Sequence, residues 1–134
     1  MRDRPTPEEL LQGARAVLDH DIAPLLQGRA RFAAILVSRA MSVAARAIAN
    51  GDAPLRTEAQ RLAALLGRPP TTALAPQVLP VVVQDLNRVL TQRIRKGDFD
   101  GGNSGQHLFD HLRQVTLDKL SESNPKYLEK DKVE

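Results

Sequence analysis

Few residues in this chain are of a type and spacing that can do chemistry. His107 and His111 stand four apart, so on a helix both rings project from one face, the geometry a metal pair requires. No Glu follows His107, so the metalloprotease pattern is incomplete, and a third ligand would have to be His20 or a carboxylate from another helix. The plainer expectation is two solvent-facing histidines, with Asp110 pointing elsewhere and no bound metal. Asp98-Phe99-Asp100-Gly101-Gly102-Asn103 begins like a calcium loop. That loop wants an acid or amide at its fifth position, Gly at its sixth and Glu at its twelfth. Gly102, Asn103 and Phe109 occupy those places, so it is not an EF-hand.

Anion binding has two candidate settings. The run Gly101 to Gly105 precedes a helix N-terminus, whose free N–H groups favour negative charge, and Arg93, Arg95 and Lys96 lie close by. The competing account has those cations offsetting the negative end of the preceding helix, with Asp98 and Asp100 repelling a phosphate. Arg39 and Arg46 interrupt the most apolar helix. They either pair with a carboxylate such as Asp85 or Asp118, lie along apolar surface with their heads in water, or hold an anion. No Ser–His–acid or paired-carboxylate arrangement can be nominated from spacing, so no catalytic residue and no cofactor are expected.

Composition narrows the classes further. With 134 residues the chain is expected to form one domain, residues 1–128, with a charged, frayed tail at 129–134. Three Phe, one Tyr and no Trp make an aliphatic core, and the absence of Cys removes disulfides and thiolate chemistry. The sequence pI is near 9.7, but acids and bases intersperse: residues 1–67 carry nine Arg against seven acids, and 68–134 carry ten Lys and Arg against nine. Arg outnumbers Lys fourteen to five, and aromatic platforms are nearly missing, so no nucleic-acid partner is expected. The start is polar rather than signal-like, and Ser38, Arg39, Ser42 and Arg46 interrupt the long apolar run from Phe32 to Ala49. A cytoplasmic location without a membrane partner is therefore expected.

These residues are carried on helices. Thr6, Pro7 and Glu9 read as a capping box opening a first helix that Pro24 and Gly28 end. A second runs from about Arg29 to Asn50, apolar around most of its circumference and so expected to be central. A third spans about Pro54 to Leu66. After the linker at 68–76, Val78 to Val83 is β-branched enough for a strand but has no partner strand. Its spacing with Leu86, Val89 and Leu90 predicts a helix from about Val78 to Lys96. The last helix covers about Ser104 to Ser121, with Phe109, Leu112, Thr116 and Leu120 as one stripe, widened by Leu108 and Val115, and Asn124-Pro125 stops it. The sum is an all-α bundle of about five helices, mostly antiparallel neighbours.

Four blocks carry a family resemblance: Arg4-Pro5-Thr6 with Glu9-Leu10-Leu11, Gly28-Arg29-x-Arg31-Phe32, Leu86-Asn87-x-x-Leu90 with Arg93-Ile94-Arg95, and Asp118-Lys119-Leu120 with Asn124-Pro125-Lys126-Tyr127-Leu128. They resemble a family of short bacterial helical proteins often encoded beside a phosphotransferase-like kinase and acyl-CoA dehydrogenases. The family has no established activity, so the resemblance transfers no catalytic residue. It implies a link to acyl-CoA or hydroxy-acid catabolism and a non-catalytic accessory protein whose partner is one of those enzymes or a second copy. Leu117, Asn124, Tyr127 and Leu128 are the expected interaction surface. The alternatives are a module binding an anionic acyl-CoA or acyl-phosphate through Arg39, Arg46 or the Arg93–Lys96 cluster, and a metal-dependent hydrolase built on His107 and His111.

Overall fold

Thr6 opens the chain's first helix as expected. Its hydroxyl accepts from the Glu9 backbone N–H at 3.2 Å while the Glu9 carboxylate accepts from the Thr6 N–H at 2.7 Å, and Pro7 takes the first helical turn. The computed structural model describes residues 4–130, and every regular element among them is helical. The helices fall into two compact units, residues 1–51 and 52–134.

In the first unit α1 (Pro7–Val17) runs into a π-helical turn (Leu18–Ile22) and a short 3₁₀ turn at Ala23–Leu25. Pro24 lacks the N–H a continuing helix needs, and Gly28 at φ +53° redirects the backbone into α2 (Gly28–Asn50). The expectation that α2 is central is corrected here. Only Ala34, Ser38 and Ala45 are buried on it, whereas Phe32 is 61% exposed and Leu36 49%. The buried positions recur at helical spacing and are all small, so a narrow stripe of short side chains faces α1. Arg15 seals that seam, donating to Ser38 Oγ at 3.3 Å and pairing with Asp19 at 3.3 Å. An apolar circumference thus tells how oily a helix is, not how much of it is covered. By length and composition alone α2 is also apolar enough to cross a bilayer.

The second unit holds α3 (Ala53–Leu65), α4 (Leu79–Arg95), α5 (Gly102–Ser123) and α6 (Pro125–Lys130). Its core joins Ala59, Leu62 and Leu66 with Leu79, Val83, Leu86 and Leu90, and Phe99 from the loop after α4 closes one end. Leu62 and Leu79 are fully buried. The β-branched run at 78–83 is helical, as its spacing predicts, because Val83, Leu86 and Leu90 share one buried face with Leu79. The linker is tied down where Arg56 donates to the Leu74 carbonyl at 2.8 Å.

Two expectations for the C-terminal third change. The inward face of α5 is not the stripe Phe109, Leu112, Thr116 and Leu120: Phe109 is 61% exposed and Leu112 47%. The buried residue is His111, flanked on the same face by half-buried Leu108, Val115 and Asp118. Residues 129 and 130, expected in a frayed tail, close α6, which Pro125 opens one residue after α5 ends; 131–134 lie outside the described residues.

Candidate functional site

Three segments of the second unit enclose a cleft of about 720 Å³. α3 contributes Arg61, Ala64 and Leu65; the end of α4 and its loop contribute Arg93, Asp98 and Phe99; α5 contributes a polar row beginning at His107. That row is His107, His111 and Gln114, followed by Asp118, which does not line the cleft; spaced four, three and four, it lies along one side of α5.

The loop reaches the cleft because two glycines permit it. Gly97 adopts φ +82°, a conformation L side chains rarely take, and turns the chain out of α4. Gly105, in the first turn of α5, lies against the Phe99 backbone: a Cβ there would stand 2.9 Å from its carbonyl oxygen. Arg93 then fastens the loop. Its Nε donates to Asp98 at 2.7 Å, an Nη reaches the Leu66 carbonyl at 3.4 Å, and its guanidinium lies 5.4 Å over the Phe99 ring centroid.

Opposite, Arg61 Nη2 donates to Asp118 at 2.8 Å, and Asp118 also accepts from Gln114 at 2.8 Å. Asn87 on α4 donates to Glu58 on α3 at 3.0 Å. Among these paired groups two buried atoms have no protein partner, Arg61 Nε and His111 Nδ1. His111 is 5% exposed. Burial holds its pKa below the ordinary 6.5, the Arg61 charge lowers it further, and Glu58 opposes weakly, so the ring is neutral at neutral pH. The cleft thus has an apolar floor of Ala64, Leu65 and Phe99, and two of the side chains beside it each bury an unpartnered nitrogen.

Of the candidates read from sequence, His107 and His111 do share a face, but only His107 is exposed, which corrects the expectation of two solvent-facing rings. Asp110 lines the same cleft rather than pointing away. No group of three or more metal-capable side chains gathers among the described residues. Arg93 lines the cleft, whereas Arg95 and Lys96 are exposed on α4's far end. Arg39 is exposed, and Arg46 borders a separate hollow of about 200 Å³ with Glu8 and Arg15. The acids suggested as their partners are engaged elsewhere, Asp118 with Arg61 and Asp85 with Arg88 at 3.0 Å. Leu117 and Leu128 are half-buried, while Asn124 and Tyr127 are exposed. Arg61 is not singled out by its type or spacing in the sequence. The signal that leads to it is the polar row on α5, which demands a partner from a neighbouring helix.

A family model described as a domain of unknown function, DUF6285, matches residues 24–127, and the chain belongs to that family. Neither a curated protein nor a solved structure matches it.

Proposed function

We propose that this member of the family is a non-catalytic helical interaction protein, and that its first unit associates through the outer side of α2. The observation that supports this is the row Phe32, Leu36, Ala40, Val43 and Ala47, spaced four, four, three and four, on the side of α2 turned away from the small residues that face α1. All but Val43 are exposed. Spacings of three and four keep these residues on one side of the helix, and an uncovered apolar row of this kind marks an interaction surface.

The occupant proposed is a second copy, arranged about a two-fold axis. From Pro7 to Ile22 the chain carries Glu8, Glu9, Asp19 and Asp21 against Arg15, a net −3, whereas α2 carries Arg29, Arg31, Arg39 and Arg46, a net +4. About a two-fold axis the outer rows of two α2 helices meet, and of these arginines only Arg29 falls on the row itself, Arg39 and Arg46 lying to one side of it, so the seam is largely apolar. Two Arg within the apolar stretch also favour a protein over hydrocarbon, where each would cost roughly 3 kcal/mol at mid-helix. The enzymes implied by the family resemblance, a phosphotransferase-like kinase and an acyl-CoA dehydrogenase, are the partners to test beside self-association.

Light scattering on the eluting protein, combined with co-purification of those two enzymes, tests the reading. A dimer that dissociates on Leu36→Glu supports it. A monomer that retains neither enzyme, or a chain that floats with lipid vesicles instead, overturns it.

A further inference from the structure

We infer that the two α2 helices of the dimer run antiparallel, with the two-fold axis crossing the seam beside Ala40. The inference rests on the self-association proposed above and fixes its orientation. The outer row of α2 is graded in size, large at its start with Phe32 and Leu36 and smaller at its end with Val43 and Ala47. Phe32 and Ala47 lie equally far from the middle of the row, and so do Leu36 and Val43. Reversing one copy therefore sets Phe32 against the partner's Ala47 and Leu36 against the partner's Val43. Each layer joins a larger side chain to a smaller one, and Ala40 lets the helices approach closely at the axis. Parallel pairing would set Phe32 against its own copy and Ala47 against its own, overfilling one end of the seam and leaving a gap at the other.

Charge selects the same orientation. A helix is partially positive at its N-terminus and partially negative at its C-terminus, so acids suit its first turn and bases its last. α2 does neither: its first turn holds Arg29 and Arg31 with no acid, and its last turn holds no base. Arg29 is exposed and falls on the outer row. Antiparallel pairing carries it to the negative C-terminal end of the partner's α2, whereas parallel pairing sets it against the partner's Arg29. Arg39 comes near its own copy beside the axis, but it is exposed at the rim of the seam, where salt screens the repulsion.

Disulfide trapping in the full chain tests this, because the chain has no Cys and each introduced thiol is unique. In the antiparallel dimer position 47 of one copy sits beside position 32 of the other. Two copies of either position stand about 22 Å apart along the seam, at 1.5 Å per residue, well beyond the roughly 7 Å a disulfide spans between Cα atoms. Phe32→Cys, Ala40→Cys and Ala47→Cys all alter exposed positions, and thermal unfolding of the reduced variants checks that each folds. Under mild oxidation Ala40→Cys is expected to link to itself, as either orientation requires. An equimolar mixture of Phe32→Cys and Ala47→Cys should give the mixed dimer at least about tenfold faster than either variant links to itself. Self-linking of Phe32→Cys or Ala47→Cys that outpaces the mixed link would overturn the orientation and leave the association standing. No link at Ala40→Cys would remove the seam, and the orientation with it.

Discussion

Replacing Phe32 by Ala separates association from folding, because the ring touches little within its own chain. It is 61% exposed and lies outside the hydrophobic core cluster. Full burial of a Phe side chain contributes about 1.5–3 kcal/mol, so the exposed three-fifths leaves roughly 1–2 kcal/mol to be gained on association. A two-fold interface repeats the residue, which doubles the figure to about 2–4 kcal/mol per dimer and corresponds to a dissociation constant weakened by roughly 25- to 700-fold. Sedimentation equilibrium over a range of concentrations measures that constant. Urea unfolding at a concentration where the wild type is monomeric measures the fold, and there the variant should lose only about 1 kcal/mol, the share of the two-fifths of the ring already buried. An unchanged dissociation constant would refute the proposed seam. A large loss of monomer stability would show instead that Phe32 is needed inside the unit.

The opposite behaviour is expected of Leu62→Ala in the second unit, where the side chain is fully buried: a loss of about 3–5 kcal/mol in urea unfolding. Gly105→Ala should destabilise by roughly 1 kcal/mol or more despite Ala's better helix propensity, because its Cβ would press on the Phe99 backbone carbonyl, which cannot swing aside as a side chain can. Thermal unfolding measures it. His111 supplies a pH signature. Its native pKa lies below the unfolded 6.5, so the unfolded chain binds the extra proton first as pH falls. Its contribution should be intact above about pH 6.5 and lost progressively below it, and His111→Gln should flatten that part of the stability curve.

Much of the helical layout was legible because it depends on local chemistry. Thr6 and Glu9 form their reciprocal cap, Gly51 and Gly97 follow the helices they end, and Leu79, Val83, Leu86 and Leu90 bury the face their spacing predicts. The faces of α2 and α5 were misread for one physical reason. Apolar periodicity identifies the buried side only where a neighbour covers the apolar residues. On α5 the covered side holds His111 and Asp118, made tolerable by a guanidinium from α3, while Phe109 and Leu112 face water. On α2 short side chains are covered and large ones are not. The cleft was half visible, through Arg93 and the two histidines, but Arg61 stands some fifty residues upstream of its row, a pairing set by tertiary packing.

Arg93 joins three stretches of chain at once: the exit of α3 at the Leu66 carbonyl, the turn at Asp98 and the ring of Phe99. Only a planar fork of donors meets all three, and an ammonium offers a single point. Arg93→Lys should therefore release these segments together, seen as one shared acceleration of amide hydrogen exchange across 65–68 and 97–101. One side chain thus fastens all three segments at the mouth of the cleft, as its hasp.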